Sequence, residues 1–267
     1  MYPAFGAILD TVNWGTSSYN SLQTTMERKF SNGLQFRSNL TWSKRMDDAS
    51  SSNISFGTPQ LPNPFNLRYN RGISTQNFPL VWMSNFIYTS PGLKGHNVLM
   101  QESLGSWEVS GIYTWMSGPG FGIGAGLDGS NNSGSLQNQD RADFVPGQSL
   151  NVRRGSDFQW TKDYFNINAF QVNASGTFGN TPKNFILGPS QQWGDASIDK
   201  NWKITERYNL QFRWEMFNVF NHPSFAIPNA SNQINALGMN EGGQEGQITG
   251  TGFEPARVQQ GAIKFTF

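Results

Sequence analysis

Between Arg207 and Asn221 the chain reads R-Y-N-L-Q-F-R-W-E-M-F-N-V-F-N, and apolar side chains fall on alternate positions: Tyr208, Leu210, Phe212, Trp214, Met216 and Phe220. Between them stand Asn209, Gln211, Arg213, Glu215 and Asn221, with Phe217 and Val219 as exceptions. A period of two predicts a β-strand with one apolar and one polar face. At helical spacing the same apolar residues would scatter around the whole circumference. Two settings suit such a strand. In a soluble sandwich the apolar face meets a second sheet. In an outer-membrane barrel it meets lipid, and the polar face lines a wet interior.

The pattern recurs along the chain. Residues 19–30 set Leu22, Thr24, Met26 and Phe30 against Gln23, Thr25, Glu27 and Lys29. Ser31-Asn32-Gly33 supplies a hairpin turn, because Asn and Gly tolerate positive φ. The return strand, 34–45, carries Leu34, Phe36, Leu40 and Trp42 in phase. Further strands are predicted over 79–90, 105–117, 193–204 and 256–267, and 1–18 is an irregular loop or a partial strand. The connections are short after 30, moderate after 90 and short after 204, but long after 45, 117 and 221. Barrels of the outer membrane show this asymmetry, with brief periplasmic turns and long extracellular loops; soluble sandwiches seldom place every long loop at one end.

Composition agrees. Charged residues are 14% of the chain, against roughly 25% in soluble domains, while aromatics also reach 14%. A net charge of +1 and the lack of a Lys/Arg cluster give no case for a nucleic-acid partner. There is no cysteine, which excludes disulfides, Cys-ligated zinc, iron–sulfur clusters and thiol catalysis. No apolar run is long enough for a membrane-spanning helix. The opening M-Y-P-A-F-G has no charged leader ahead of Arg28, so an exported protein is expected to have more chain before it.

Candidate chemistry is sparse. Gly120-Phe121-Gly122-Ile123-Gly124-Ala125 matches a dinucleotide fingerprint in letters, but it opens a long loop where that motif joins a strand to a helix. Asp128-Gly129-Ser130-Asn131-Asn132-Ser133-Gly134 starts like a calcium loop, yet Gln139 stands where a bidentate Glu is required. His96 and His222 fall in connections at opposite ends of the predicted strands, which disfavours a shared metal or dyad. Asp47-Asp48 and Asp195/Asp199 read as solvated charges rather than paired acids. No enzyme, catalytic residue, metal or cofactor is assigned. The candidates for ligand contact are Arg213 and Glu215 on the wet face, as a structural network or as a polar contact for solute, and Trp160 in the longest loop, by stacking. Several of the nine tryptophans suit interfacial girdles.

Four segments carry a family resemblance: Y-N-S-L-Q-T-T-M-E-R-K-F-S-N-G-L (19–34), F-N-I-N-A-F (165–170), G-T-F-G-N-T-P-K-N (176–184) and R-W-E-M-F-N-V-F-N-H-P-S-F (213–225). The chain resembles the C-terminal barrel of TonB-dependent outer-membrane receptors, and within them the Oar-like group with carboxypeptidase-regulatory-like N-terminal domains. The last strand, with Gly261, Ile263, Phe265 and the terminal Phe267 in phase, resembles the signal read by the barrel-assembly machinery. The resemblance implies an all-β antiparallel transmembrane barrel of about twenty-two strands, of which 1–267 would be a C-terminal part of seven or eight, an open curved sheet without plug or signal peptide. It also implies the outer membrane of a Gram-negative cell, lipid around the wall, the TonB system as partner through an N-terminal part, and import of a solute such as a saccharide or peptide. The alternatives are a complete small barrel with a structural or adhesive role, or a soluble β-sandwich that binds carbohydrate.

Overall fold

The structure, a computed structural model, describes residues 13–30, 32–48, 63, 66–92, 95, 97–125, 129–130, 140–150, 163–230, 245–252 and 255–267. Its strands are β1 (Ser17–Lys29), β2 (Leu34–Asp47), β3 (Gly72–Ile73), β4 (Leu80–Thr89), β5 (Trp107–Met116), β6 (Gly120–Phe121), β7 (Asp143–Phe144), β8 (Phe170–Gln171), β9 (Ile186–Leu187), β10 (Gln191–Lys203), β11 (Asn209–Phe217) and β12 (Val258–Thr266). Among the described residues there are also two short helices, α1 (Leu67–Asn70) and α2 (Val98–Leu104), and a 3-10 turn at Ile167–Ala169.

One antiparallel sheet runs β1-β2-β4-β5-β10-β11-β12, with β3 added at the end of β2. Apart from β3, every strand of that order lies beside its nearest long neighbour in sequence, the meander that outer-membrane walls use. These seven long strands have 9 to 14 residues, enough to cross a hydrocarbon layer when tilted. β1 and β12 end the order and do not pair with each other, so the sheet is open. No helix among the described residues is long and apolar enough to cross a membrane.

Register makes the two faces continuous. Trp42 faces Leu22 and Leu80, Trp82 faces Leu40 and Trp115, and Tyr88 faces Val109. The same row continues through Ile198 and Trp214 to Gly261. This apolar face bears large exposed side chains such as Leu22, Trp42, Phe86, Trp214, Ile263 and Phe265. Among the described residues no second sheet packs against it, contrary to a sandwich. The opposite face carries Gln23, Thr25, Glu27, Arg37, Asn39, Glu108, Asp199, Arg213 and Lys264, with an apolar interruption at Met83, Ile87 and Ile112.

Two small residues on the apolar face are occupied by rings. A Cβ at Gly111 would stand 2.7 Å from the Phe86 ring, and one at Gly194 2.7 Å from the Phe220 ring. Phe220 reaches there because the last long strand before the final loop is shorter than its alternation predicts. β11 stops at Phe217, not Asn221, and Asn218 adopts φ 50°. Asn218 donates its backbone N–H to Asp195 and its side-chain amide to the carbonyls of His222 and Pro255. These bonds hold the turn that folds Phe220 back over Gly194.

The buried apolar core lies outside the sheet. Phe121, Ile123, Ala142, Phe165, Ala169 and Phe170 form it, with Phe144, Tyr164 and Phe185 packed around them. All belong to the connection 117–190, which the sequence pattern marks only as a loop with short strands near 163–172. In the structure β6 pairs with β9 and β7 with β8 to frame a compact cap at the end of the sheet that holds the long connections. The predicted partial strand within 1–18 is described only from Trp14's neighbourhood onward, and its earlier part lies outside the described residues.

Candidate functional site

The cap is fastened to the wall by polar ties. Lys183 Nζ meets Asp47 Oδ1 at 2.5 Å, and Asn184 Nδ2 donates to the Ile73 carbonyl at 2.8 Å. Tyr69 donates its hydroxyl to Gly179 O at 2.7 Å. The Arg141 guanidinium lies 3.7 Å from the Tyr69 ring centroid and donates to the Tyr69 carbonyl. Gly179 is required here, since a Cβ would overlap the Arg141 carbonyl. The described parts of the connections after β2 and after β5 are therefore tied together through Tyr69, Ile73, Arg141, Gly179 and Asn184. Burial raises the Tyr69 pKa, and the nearby Arg141 only partly opposes it, so the hydroxyl stays a donor.

A second tie sits at the entry to β1. Thr16 donates its N–H to Asp48 Oδ1 at 2.7 Å and its hydroxyl to Oδ2 at 2.5 Å. Arg71 in turn donates to Thr16 Oγ1 and Ser18 Oγ. Burial pushes the Asp48 carboxyl up, but the Thr16 hydrogen bonds and the Arg71 charge outweigh it and hold the pKa below its ordinary value.

On the polar face a chain of hydrogen bonds and one longer ion pair crosses four strands. Ser197 Oγ donates to Asp199 Oδ2 at 2.9 Å, which leaves Ser110 to donate to Ser197 at 2.9 Å. Asp199 Oδ1 accepts from Arg213 Nε at 2.7 Å. Arg213 Nη1 lies 3.8 Å from Glu215 Oε1, and Gln260 Nε2 donates to Glu215 Oε2 at 2.5 Å. The Asp199 side chain is 10% exposed and that of Arg213 47%. The network therefore ties β5, β10, β11 and β12 together while leaving guanidinium surface open to the wet face. Elsewhere on that face, Glu27, Arg37, Asn85, Ile87 and Ile112 line a depression of about 290 Å³.

Of the residues singled out by sequence, Arg213 and Glu215 thus fall in one network. Trp160 and His96 lie outside the described residues, as does most of the calcium-like stretch from Asp128 to Gly134. Gly120 and Phe121 form β6, and Phe121, Ile123 and Ala125 are buried in the cap; the glycine-rich run packs that core. Asp199 is a network member rather than a solvated charge, and Asp47 and Asp48 are the wall's two anchor points for the ties. Gly261, Ile263 and Phe265 lie in phase on the apolar face of β12, and Phe265 stacks on Tyr208 at 5.8 Å with Phe267 beyond it.

Tryptophans form two levels on the apolar face. Trp42, Trp82 and Trp115 lie toward the long-connection end, where Trp82 and Tyr113 meet edge to face at 5.4 Å. Trp107 and Trp202 lie toward the short-turn end. Trp193 instead shares the polar face of β10 with Asp195. Sequence reasoning missed Lys200, which sits between Trp107 and Phe212 in register on the apolar face. Its signal is a break in the alternation of 193–204.

The wall, the two aromatic levels and the wet polar face are what a membrane barrel requires. A family model described as "Outer membrane beta barrel domain" matches residues 1–260. Comparison with curated proteins and with solved structures finds no match. The chain belongs to the outer membrane beta barrel domain family, and its place is the outer membrane.

Proposed function

We propose that this wall is part of a TonB-dependent, Oar-like receptor that captures a solute at the long-connection end and imports it with energy delivered through TonB. The observation that supports it best is the open order from β1 to β12, whose ends do not pair. Such a sheet belongs to a barrel with more strands than these, and a wide barrel has room for a plug and a solute. A small closed barrel with an adhesive role would need β1 against β12. The ordered cap supports the same reading, because a folded assembly over the mouth offers a shaped surface for a saccharide or a peptide. Its partners are then outer-membrane lipid, the assembly machinery that reads β12, and TonB through another part of the protein.

The test is uptake by cells expressing the intact protein. A labelled oligosaccharide mixture and a labelled peptide mixture are offered with and without a protonophore. Accumulation of one mixture that collapses with the protonophore is the expected result. Accumulation indifferent to the protonophore, or cell adhesion without uptake, transfers the protein to another class. Deletion of 118–192 is expected to abolish solute binding at the cell surface; unchanged binding would remove the cap from the ligand site.

A further inference from the structure

The connection between β4 and β5 holds α2, and α2 is fixed to the apolar side of the wall. Asn97 caps it, accepting from Met100 N at 2.8 Å. At its other end, Trp202 Nε1 donates to the Glu102 carbonyl at 3.0 Å and Trp107 Nε1 to the Ser103 carbonyl at 2.8 Å. The Lys200 ammonium donates to the Gly105 carbonyl and stands 5.6 and 5.7 Å from the Trp107 and Trp202 ring centroids. Lys200 is 1% exposed. Carbonyls that a helix end normally leaves to water are thus taken by three donors of the apolar face.

At 100° per residue, Leu99, Ser103, Met100 and Leu104 occupy one arc of α2 and Glu102 lies off it. Leu99 is 79% and Leu104 59% exposed. The helix carrying this uncharged arc is tied to Trp107 and Trp202 on the lipid-facing side of the sheet, and those ring donors are the residues that favour a membrane interface.

We propose that α2 lies in the membrane interface at the short-turn end, with Leu99, Met100 and Leu104 seated among phospholipid chains. The Trp107–Lys200–Trp202 cluster fixes its height on the wall. The occupant is lipid, because the helix is tied to a surface that lipid already covers and its arc carries no charge for a protein partner to pair with.

Because the chain has no cysteine, single spin labels can be placed at Leu99→Cys, Leu104→Cys and, as an aqueous control, Glu206→Cys. The full protein is reconstituted into phosphatidylethanolamine–phosphatidylglycerol vesicles, and collision with oxygen is compared with collision with a water-soluble nickel chelate. Oxygen should dominate several-fold at 99 and 104 and the chelate at 206. Chelate access at 99 and 104 equal to that at 206 overturns the proposal, and so does shielding from both reagents, which marks a protein cover. In the unsubstituted protein, a phospholipid bearing a carbene precursor near its headgroup should label the 97–106 peptide. Labelling confined to the strands counts against the interface seat.

Discussion

Asp199 and Arg213 face each other directly across β10 and β11, and their pairing is the central link of the wet-face network. Asp199 is largely covered while Arg213 is open to solvent, so solvent screens the pair from one side. A double-mutant cycle with Asp199→Ala and Arg213→Ala should return a favourable coupling, weakened by salt because Arg213 is open to solvent. A cycle that sums to zero would make the pair ornamental. Arg213→Ala alone should cost more than Asp199→Ala, since it strands the more buried partner without its cation. On the other face, Gly194→Ala pushes a methyl toward the Phe220 ring. Because that ring is exposed and can shift aside, a small loss, under about 1 kcal/mol, is expected, read by urea unfolding in detergent. Gly194→Ala combined with Phe220→Ala should recover part of that loss, because the ring is the obstacle.

At the scale of elements, the Thr16–Asp48–Arg71 tie sets how the chain enters β1. The Asp48 carboxyl is held below its ordinary value, so the folded state binds its proton less readily than the unfolded chain does. Its contribution to stability is complete above the unfolded value and fades as pH falls through the lower folded one. Unfolding temperatures of the protein and of Asp48→Asn should therefore converge below about pH 4 and separate above it, with the variant the less stable. Parallel profiles across that range would show that the tie carries no proton linkage. The strands themselves were legible from alternation, since lipid and water impose opposite demands on successive residues. The end of β11 was not, because Phe217, Val219 and Phe220 continue an apolar run while the break rests on tertiary bonds from Asn218. Helix α2 escaped for a related reason. Its seven residues are too few for a helical period to show, and what holds it are donors from Trp107, Lys200 and Trp202, remote in sequence.

For the whole molecule, the division of labour between solvents is the main result. The wall has no apolar interior of its own and relies on lipid, whereas the cap keeps a buried cluster around Phe121, Phe165 and Phe170. The full chain should accordingly be monodisperse only in detergent or lipid, and light scattering in plain buffer should show aggregates. A stable monomer there would argue against a lipid-facing wall. Composition and loop lengths disclosed this wall and its sidedness. They did not disclose the cap, because its core is assembled from two-residue strands and single aromatics spread over 117–190, without a period to detect. The network around Arg213 was half visible: the charges share a face by parity, but which strand lies alongside decides that Asp199, and not Glu215, is the close partner.

The tie between Lys183 and Asp47 joins residues 136 positions apart, with β4 and β5 laid down in between. Closing so long a loop is entropically unfavourable in a free chain, and the cost falls once the intervening hairpins are in place. The cap is therefore expected to lock most readily once the intervening strands have paired. Its closure then reports that β2, β4 and β5 have come together. Lys183→Ala should leave insertion of the strands unaffected and slow only the final gain of protease resistance at the mouth.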